Sequence, residues 1–380
     1  MNFAAPECLL SNIIKFLPSW SQISLIDLKT TALPGCSNRI FKIQLKSPQN
    51  FPNISPNDGL IYREFGKLTD FIDYEAESMV FEEMGKRGMG PKSYGYCQEY
   101  RLEELIDAEH PNNKEMILGS FIKAITEPIV RLHSIDMPLK NKEPMMRSLL
   151  LEEDEKKSLE KVRAILEEGN FKKDPRFDDL NIFLSSNEVD FLCNLLPKLP
   201  EAVTFCHNDL NPTNIFMKKD GISFVFIDFE YACINYRGMD LGGYFIEIAF
   251  DYGEFPKYSY RSELFASEEI IDQFCRFYLF FKINDDLKLG FGKFEILENG
   301  SEILKGKYNK EEFESSLESL KVEVRVGMLL WLFFSSLWCV YQSKFSKIEF
   351  DFVGMAFDKF QLYKHLKKKY FGCFSTIKFK

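Results

Sequence analysis

Val326 to Ser343, VGMLLWLFFSSLWCVYQS, holds no charged residue. Such a run must be enclosed, by lipid or by the protein's own core, because water is an unfavourable surrounding along its whole length. It barely reaches the length that spans a bilayer, and it contains Ser335, Ser336, Gln342 and Ser343. The expectation is a buried core helix and no membrane span. A core that encloses it needs many apolar partners. The chain of 380 residues supplies them, with 45% hydrophobic residues and 38 phenylalanines. That length fits two or three domains, or one bilobed unit.

The formal net charge of -9 argues against a nucleic-acid partner, whose phosphates would be repelled. A nucleotide remains compatible, since it needs only local positive charge. Lys364, Lys367, Lys368 and Lys369 read as a solvated helix end. The 9 cysteines are scattered without a CxxC pair, and the 4 histidines show no zinc-ligand spacing. Reduced thiols and a cytoplasmic location are expected. The start, MNFAAPECLLSNIIKF, has neither a basic leader nor a long apolar core, so no signal peptide is expected.

Ile40, Phe41, Ile43 and Leu45 mark a strand, and Leu60 to Arg63 a second. Phe71 to Lys86 has a helical pattern that stops at Gly85, Gly88 and Gly90. KSYGYC and YRLEELI, between Lys92 and Ile106, are two more short strands. These predict a small α+β lobe over residues 1–108. Residues 109–380 are mainly helical in pattern.

The chemistry is concentrated between Val203 and Asp228. An apolar strand containing Val203 and Phe205 leads into His207, Asn208 and Asp209. Asn214 follows five residues later. A second strand, Phe224 to Ile227, ends at Asp228. Phosphoryl transfer from ATP needs a carboxylate to orient and deprotonate the attacking hydroxyl, and hard oxygen ligands for Mg²⁺. Asp209 suits the first role; Asn214 and Asp228 suit the second. Each could instead be a turn residue or a strand-end cap, but the order and spacing of both halves favour catalysis. His207 reads as a hydrogen bonder that fixes the loop rather than a proton carrier.

HNDLNPTN and FIDFEYACINYRGMDLG resemble the signatures of the choline/ethanolamine kinase family, relatives of aminoglycoside phosphotransferases and protein kinases. Leu33-Pro34-Gly35 with Ser37-Asn38 resembles the family's ATP loop. Tyr62-Arg63 resembles the strand with its phosphate-binding Arg, and Arg101-Leu102-Glu103 its hinge approach. The resemblance implies an α+β, bilobed, protein-kinase-like fold. Its N-terminal lobe (1–108, with the hinge) has an antiparallel sheet and one main helix; its larger C-terminal lobe (109–380) is catalytic, with ATP between them. It implies Mg²⁺ as cofactor on Asn214 and Asp228. Ser37, Asn38, Arg63 and Glu77 would serve the phosphates, Arg63 pairing with Glu77. Backbone groups around Glu104 and Ile106 would meet the adenine.

The resemblance implies choline as acceptor, the entry step to phosphatidylcholine, with ethanolamine as the alternative. A quaternary ammonium is held by aromatic faces and a nearby carboxylate. Tyr231, Glu247, Tyr252, Trp338 and Phe350 are the implied acceptor residues, with Asp240 in support. Trp331 and Phe334, on the same helix face as Trp338, read as core. The chain departs from the family pattern at Ser335, where a Trp is common, at Met355, where an aromatic is usual, and at Gly243-Tyr244. These departures bear on the acceptor and not on Asp209, Asn214 or Asp228. A kinase-like scaffold without activity is the alternative of another class; such proteins usually lose the base or a metal ligand, and this chain keeps them. The family is often dimeric, so the resemblance allows a homodimer.

Overall fold

The computed structural model describes residues 8–33, 35, 38–56, 59–66, 72–151, 156–168, 176–184, 186–199, 203–221, 223–253, 256–286, 310–346 and 348–372. In chain order the first elements are α1 (Leu9–Phe16), β1 (Leu28–Leu33), β2 (Arg39–Leu45), β3 (Leu60–Glu64), α2 (Tyr74–Lys86), β4 (Ser93–Tyr96), β5 (Tyr100–Glu104) and β6 (Ala108–Glu109). Five helices follow: α3 (Gly119–His133), α4 (Met145–Leu151), α5 (Lys156–Glu167), α6 (Arg176–Phe183) and α7 (Ser186–Leu195). Then come β7 (Val203–Cys206), β8 (Ile215–Lys218), β9 (Phe224–Phe226), β10 (Cys233–Tyr236), α8 (Arg237–Glu247), β11 (Phe250–Asp251) and β12 (Ser259–Tyr260). The chain closes with α9 (Glu268–Asp286), α10 (Lys310–Phe345) and α11 (Phe352–Phe371). These elements form two compact units: Met1–His110 with Ile215–Tyr231, and Pro111–Asn214 with Ala232–Lys380.

The first unit is built on an antiparallel sheet in the order β1-β2-β3-β5-β4. Side chains alternate between its faces. Phe41, Ile43, Leu60, Tyr62, Tyr100 and Leu102 belong to one apolar cluster with Leu9 and Ile13 of α1 and with Trp20. The intervening residues carry charge: Arg63 lies directly across from Arg101 in the β3–β5 ladder, and Glu103 is two residues on. Asp73 caps α2 by accepting from the Glu75 and Ala76 N–H groups at 3.1 and 3.0 Å. Glu75 and Glu77 in its first turn suit the positive end of the helix. A second sheet, β6-β8-β9, carries the chain up to Asp228.

The second unit is mainly helical. α10 is long and apolar enough to cross a membrane, and 89% of its most apolar window is buried within the chain. It crosses α8 with the two backbones in contact. A Cβ built on Gly327 would lie 1.6 Å from the Gly238 carbonyl oxygen, a separation no side chain tolerates. Arg237 clamps the crossing with a two-pronged ion pair to Glu323, at 2.6 and 2.9 Å. On α11 the buried face runs through Phe352, Met355, Ala356, Phe360, Tyr363 and Leu366, and Lys359 sits among them.

Gly327→Ala should therefore lower stability by about 3 kcal/mol or more, the upper end of overpacking costs. Calorimetry reads this as a lower melting temperature, and an unchanged midpoint would show that α8 and α10 can part without loss.

Candidate active site

In the second unit, β7 delivers its last residue, Cys206, to a tight loop. Asn208 adopts φ 60°, a left-handed conformation that Asn tolerates better than most residues. Asp240 holds that conformation: its carboxylate accepts from the His207 N–H at 2.7 Å and the Asn208 N–H at 2.5 Å. The His133 ring lies 3.1 Å from the same carboxylate and 2.8 Å from the Tyr278 hydroxyl. Asn235 donates to the Asn208 side chain at 2.7 Å. His207, Asn208, Asn235 and Asp240 are all at most 1% exposed. The loop is thus pinned from beneath, and Asp209 is its next residue.

Asn214 donates through Nδ2 to Asp209 Oδ2 at 2.7 Å and to the Asp209 carbonyl at 2.9 Å. Asn211 donates to Asp209 Oδ1 at 2.9 Å. These amides hold the Asp209 carboxylate in one orientation. Both candidate functional residues of this loop come together as the sequence spacing predicts. Among the described residues nothing donates to Asn214 Oδ1.

In the first unit, Arg63 is 4% exposed. Its Nε donates to Glu103 at 2.7 Å and its Nη1 to Asp228 Oδ1 at 3.0 Å. The expected Arg63–Glu77 pair is not formed. Glu77 accepts from Arg101 at 2.7 Å instead, and Glu103 takes its place beside Arg63. The ladder explains this: Arg63 and Arg101 are direct cross-strand neighbours, so two like charges need two carboxylates. Arg101 also lies 3.6 Å from the centre of the Phe81 ring. Burial works to raise the Glu103 pKa, but Arg63 and then Arg101 outweigh it, and the carboxyl is held below its ordinary range. Burial works against the Arg63 charge, and Glu103, Asp228 and Glu77 more than offset it.

Two guanidinium groups thus face three carboxylates, leaving one excess negative charge in the set. Asp228 is its outermost member, with a side chain 27% exposed. Its φ of 64° turns the chain sharply after β9. No described residue donates to Asp228 Oδ2. An anionic carboxylate oxygen is a hard donor of the kind that a divalent cation prefers, and the amide oxygen of Asn214, in the second unit, is by itself another.

The other expected nucleotide residues lie in the first unit too. Ser37 is outside the described residues. Asn38 accepts from the Gly66 N–H at 3.0 Å and donates to Glu230 at 3.3 Å, tying its loop to the segment after Asp228. The Glu104 N–H is already used, donating to the Lys92 carbonyl at 2.9 Å. Beyond β5, Ile106 has no backbone hydrogen bond to the described residues. Tyr231 lies in the turn after Asp228 and is half-buried.

The remaining expected acceptor residues lie in the second unit. Glu247 is 2% exposed and gathers three donors. Its Oε2 accepts from the Tyr252 hydroxyl at 2.7 Å; its Oε1 accepts from Trp331 Nε1 and Lys359 Nζ, both at 2.7 Å. Burial is the main reason the Tyr252 pKa is pushed well up; Glu247 adds to it, and Asp209 is near enough to contribute. Trp338 is half-buried and meets Phe352 edge-on at 5.7 Å between ring centres. Phe350 meets Phe352 and Tyr258 in tilted ring contacts, at 4.7 and 5.6 Å between centres. Trp331 and Phe334 are buried as core, in mutual ring contact at 6.0 Å. Lys359 is the residue the sequence reading missed. Its signal is a lysine at i+3 from Ala356 and i−4 from Tyr363, on the apolar face of a helix.

The choline kinase of Cryptosporidium parvum Iowa II superposes with a TM-score of 0.70 at 22% identity, covering 96% of this chain and 95% of that one. Plasmodium vivax ethanolamine kinase gives 0.69 at 18% identity, covering 95% and 90%. The α+β fold is thus protein-kinase-like. The family model described as choline/ethanolamine kinase matches residues 30–364. A human protein named choline/ethanolamine kinase is 29% identical over 355 residues, 91% of this chain and 82% of its own length. The chain belongs to the choline/ethanolamine kinase family.

The Glu103 arrangement predicts an acid sensitivity. A carboxyl whose folded pKa is depressed stabilises fully above its unfolded pKa, roughly 4.3. That contribution is lost as pH falls through the folded value. Glu103→Gln should cost about 2–3 kcal/mol at neutral pH by replacing the charge-assisted bonds that Glu103 shares with Arg63 and Arg101, each of which keeps one other carboxylate. It should also make stability fall less steeply with acid below about pH 5. Urea midpoints across that range test both, and parallel curves for the two proteins would contradict the assignment.

Proposed function

We propose that this protein is a choline kinase, moving the terminal phosphate of ATP to the choline hydroxyl with Mg²⁺. In this reading Asp209 accepts the hydroxyl proton and aims the oxygen at phosphorus, while Asn214 and Asn211 keep its carboxylate fixed. Asn214 Oδ1 and Asp228 Oδ2 are the oxygens we assign to Mg²⁺, which screens phosphate charge when bound. Arg63 holds Asp228 in place; its Nη2, which donates to no described residue, suits a phosphate oxygen. The unused backbone of Ile106 suits an adenine edge.

The observation that carries the choline reading is the state of Glu247. Both its oxygens already accept hydrogen bonds from the protein, and Lys359 balances its charge. Three N–H donors of ethanolamine would find that carboxylate occupied. A trimethylammonium group donates no hydrogen bond and needs ring faces, which the half-buried Trp338 and Phe350 supply. Ethanolamine is the second reading. It is favoured by Ser335 and Met355, both buried at 5% and 4%, which stand where the family commonly has aromatic walls.

Asp209→Asn should lower kcat by about 10²–10⁴-fold while ATP still binds; near-normal turnover in that variant would remove Asp209 from the base role. In a coupled ADP-release assay, choline should be used in preference to ethanolamine and its methylated intermediates. Trp338→Ala should raise the choline KM about tenfold and leave the ATP KM unchanged. Equal effects on both constants would assign Trp338 to the core.

A further inference from the structure

The second unit contains an ammonium group of its own. Lys359 is 2% exposed, yet it lies on the apolar face of α11. Its Nζ is 2.7 Å from Glu247 Oε1, 5.1 Å from the centre of the Phe250 ring and 5.8 Å from that of Trp331. Both rings are buried, at 0% and 4% exposure. A carboxylate and two aromatic faces are what a protein offers a cationic ligand. Here that set is filled from within.

We infer that Lys359 determines acceptor selectivity by occupying and neutralising Glu247. This inference rests on the acceptor reading above. Tyr252, Trp331 and Lys359 engage both oxygens of the carboxylate, and the group as a whole carries no net charge. An incoming ammonium then gains little from Glu247 and is discriminated by the remaining aromatic walls, a situation that favours methylated nitrogen. Without the lysine, Glu247 keeps Tyr252 and Trp331 but regains a full charge and accepting capacity. Both acceptors would feel that charge. Only ethanolamine could also donate N–H to the freed oxygen, so the ratio of the two separates hydrogen bonding from general attraction.

The test compares kcat/KM for ethanolamine and choline in the intact protein. In Lys359→Met the ethanolamine-to-choline ratio should rise about tenfold over the unaltered enzyme, the factor that one charge-assisted hydrogen bond supplies. Lys359→Arg, which keeps the cation, should leave the ratio near its starting value. A change in both acceptors by one common factor in Lys359→Met overturns the proposal and makes the lysine a packing residue. Loss of a buried partner can prevent folding, whereas removing both charges is better tolerated. The double variant Glu247→Gln/Lys359→Met therefore decides the case if the single one does not accumulate. A ratio close to that of the unaltered enzyme supports charge balance; a tenfold shift overturns it. The unaltered enzyme's own preference tests the choline reading separately, because each shift is measured relative to that preference.

Discussion

The catalytic loop depends on one buried carboxylate. Asp240 accepts two consecutive backbone N–H groups, from His207 and Asn208, and lies against the His133 ring. Backbone amides of a strained left-handed turn would otherwise be buried without partners, which is unfavourable by about 1–3 kcal/mol each. Asp240 is in the first turn of α8, whose backbone touches α10 through Gly238 and Gly327. The position of the base therefore traces back to two glycines in a helix crossing. Precision at the reacting carboxylate is a consequence of core packing several residues away.

The two units handle their buried charges in opposite ways. In the first, Arg63, Arg101 and Glu103 on the sheet meet Glu77 of α2 and Asp228 after β9, and the surplus negative charge is left at Asp228, where a cation can answer it. In the second, Glu247 and Lys359 cancel locally among aromatic rings. A surplus suits a metal; cancellation suits a ligand recognised by ring faces rather than by hydrogen bonds. Both arrangements conform to the rule that a buried charge needs a nearby partner.

Much of this could be read from the amino acids. β2 and β3 are legible because their apolar residues alternate, and α2 because its pattern ends at a glycine cluster. α10 is legible as a core helix because nothing else can enclose so long a run without charge. Asp209 and Asn214 meet because a five-residue spacing across a turn leaves them little choice. Other features depend on register and tertiary contact. β1 carries exposed Lys29, Thr30 and Thr31 and offers no alternation to read. The partner of Arg63 is not legible, because sequence order does not reveal that Arg101 lies opposite it. Once two arginines are known to face each other, Glu103 follows from its position two residues along the same strand. Lys359 is invisible in composition and plain on a helical wheel.

The β8–β9 hairpin has a consequence for dissection. The chain leaves the second unit at Asn214, builds the hairpin that ends in Asp228 as part of the first, and returns after Tyr231. Neither unit is therefore one uninterrupted stretch of polypeptide. No single breakpoint yields a self-contained half, and a fragment ending before Ile215 would lack the carboxylate that Arg63 is built to hold.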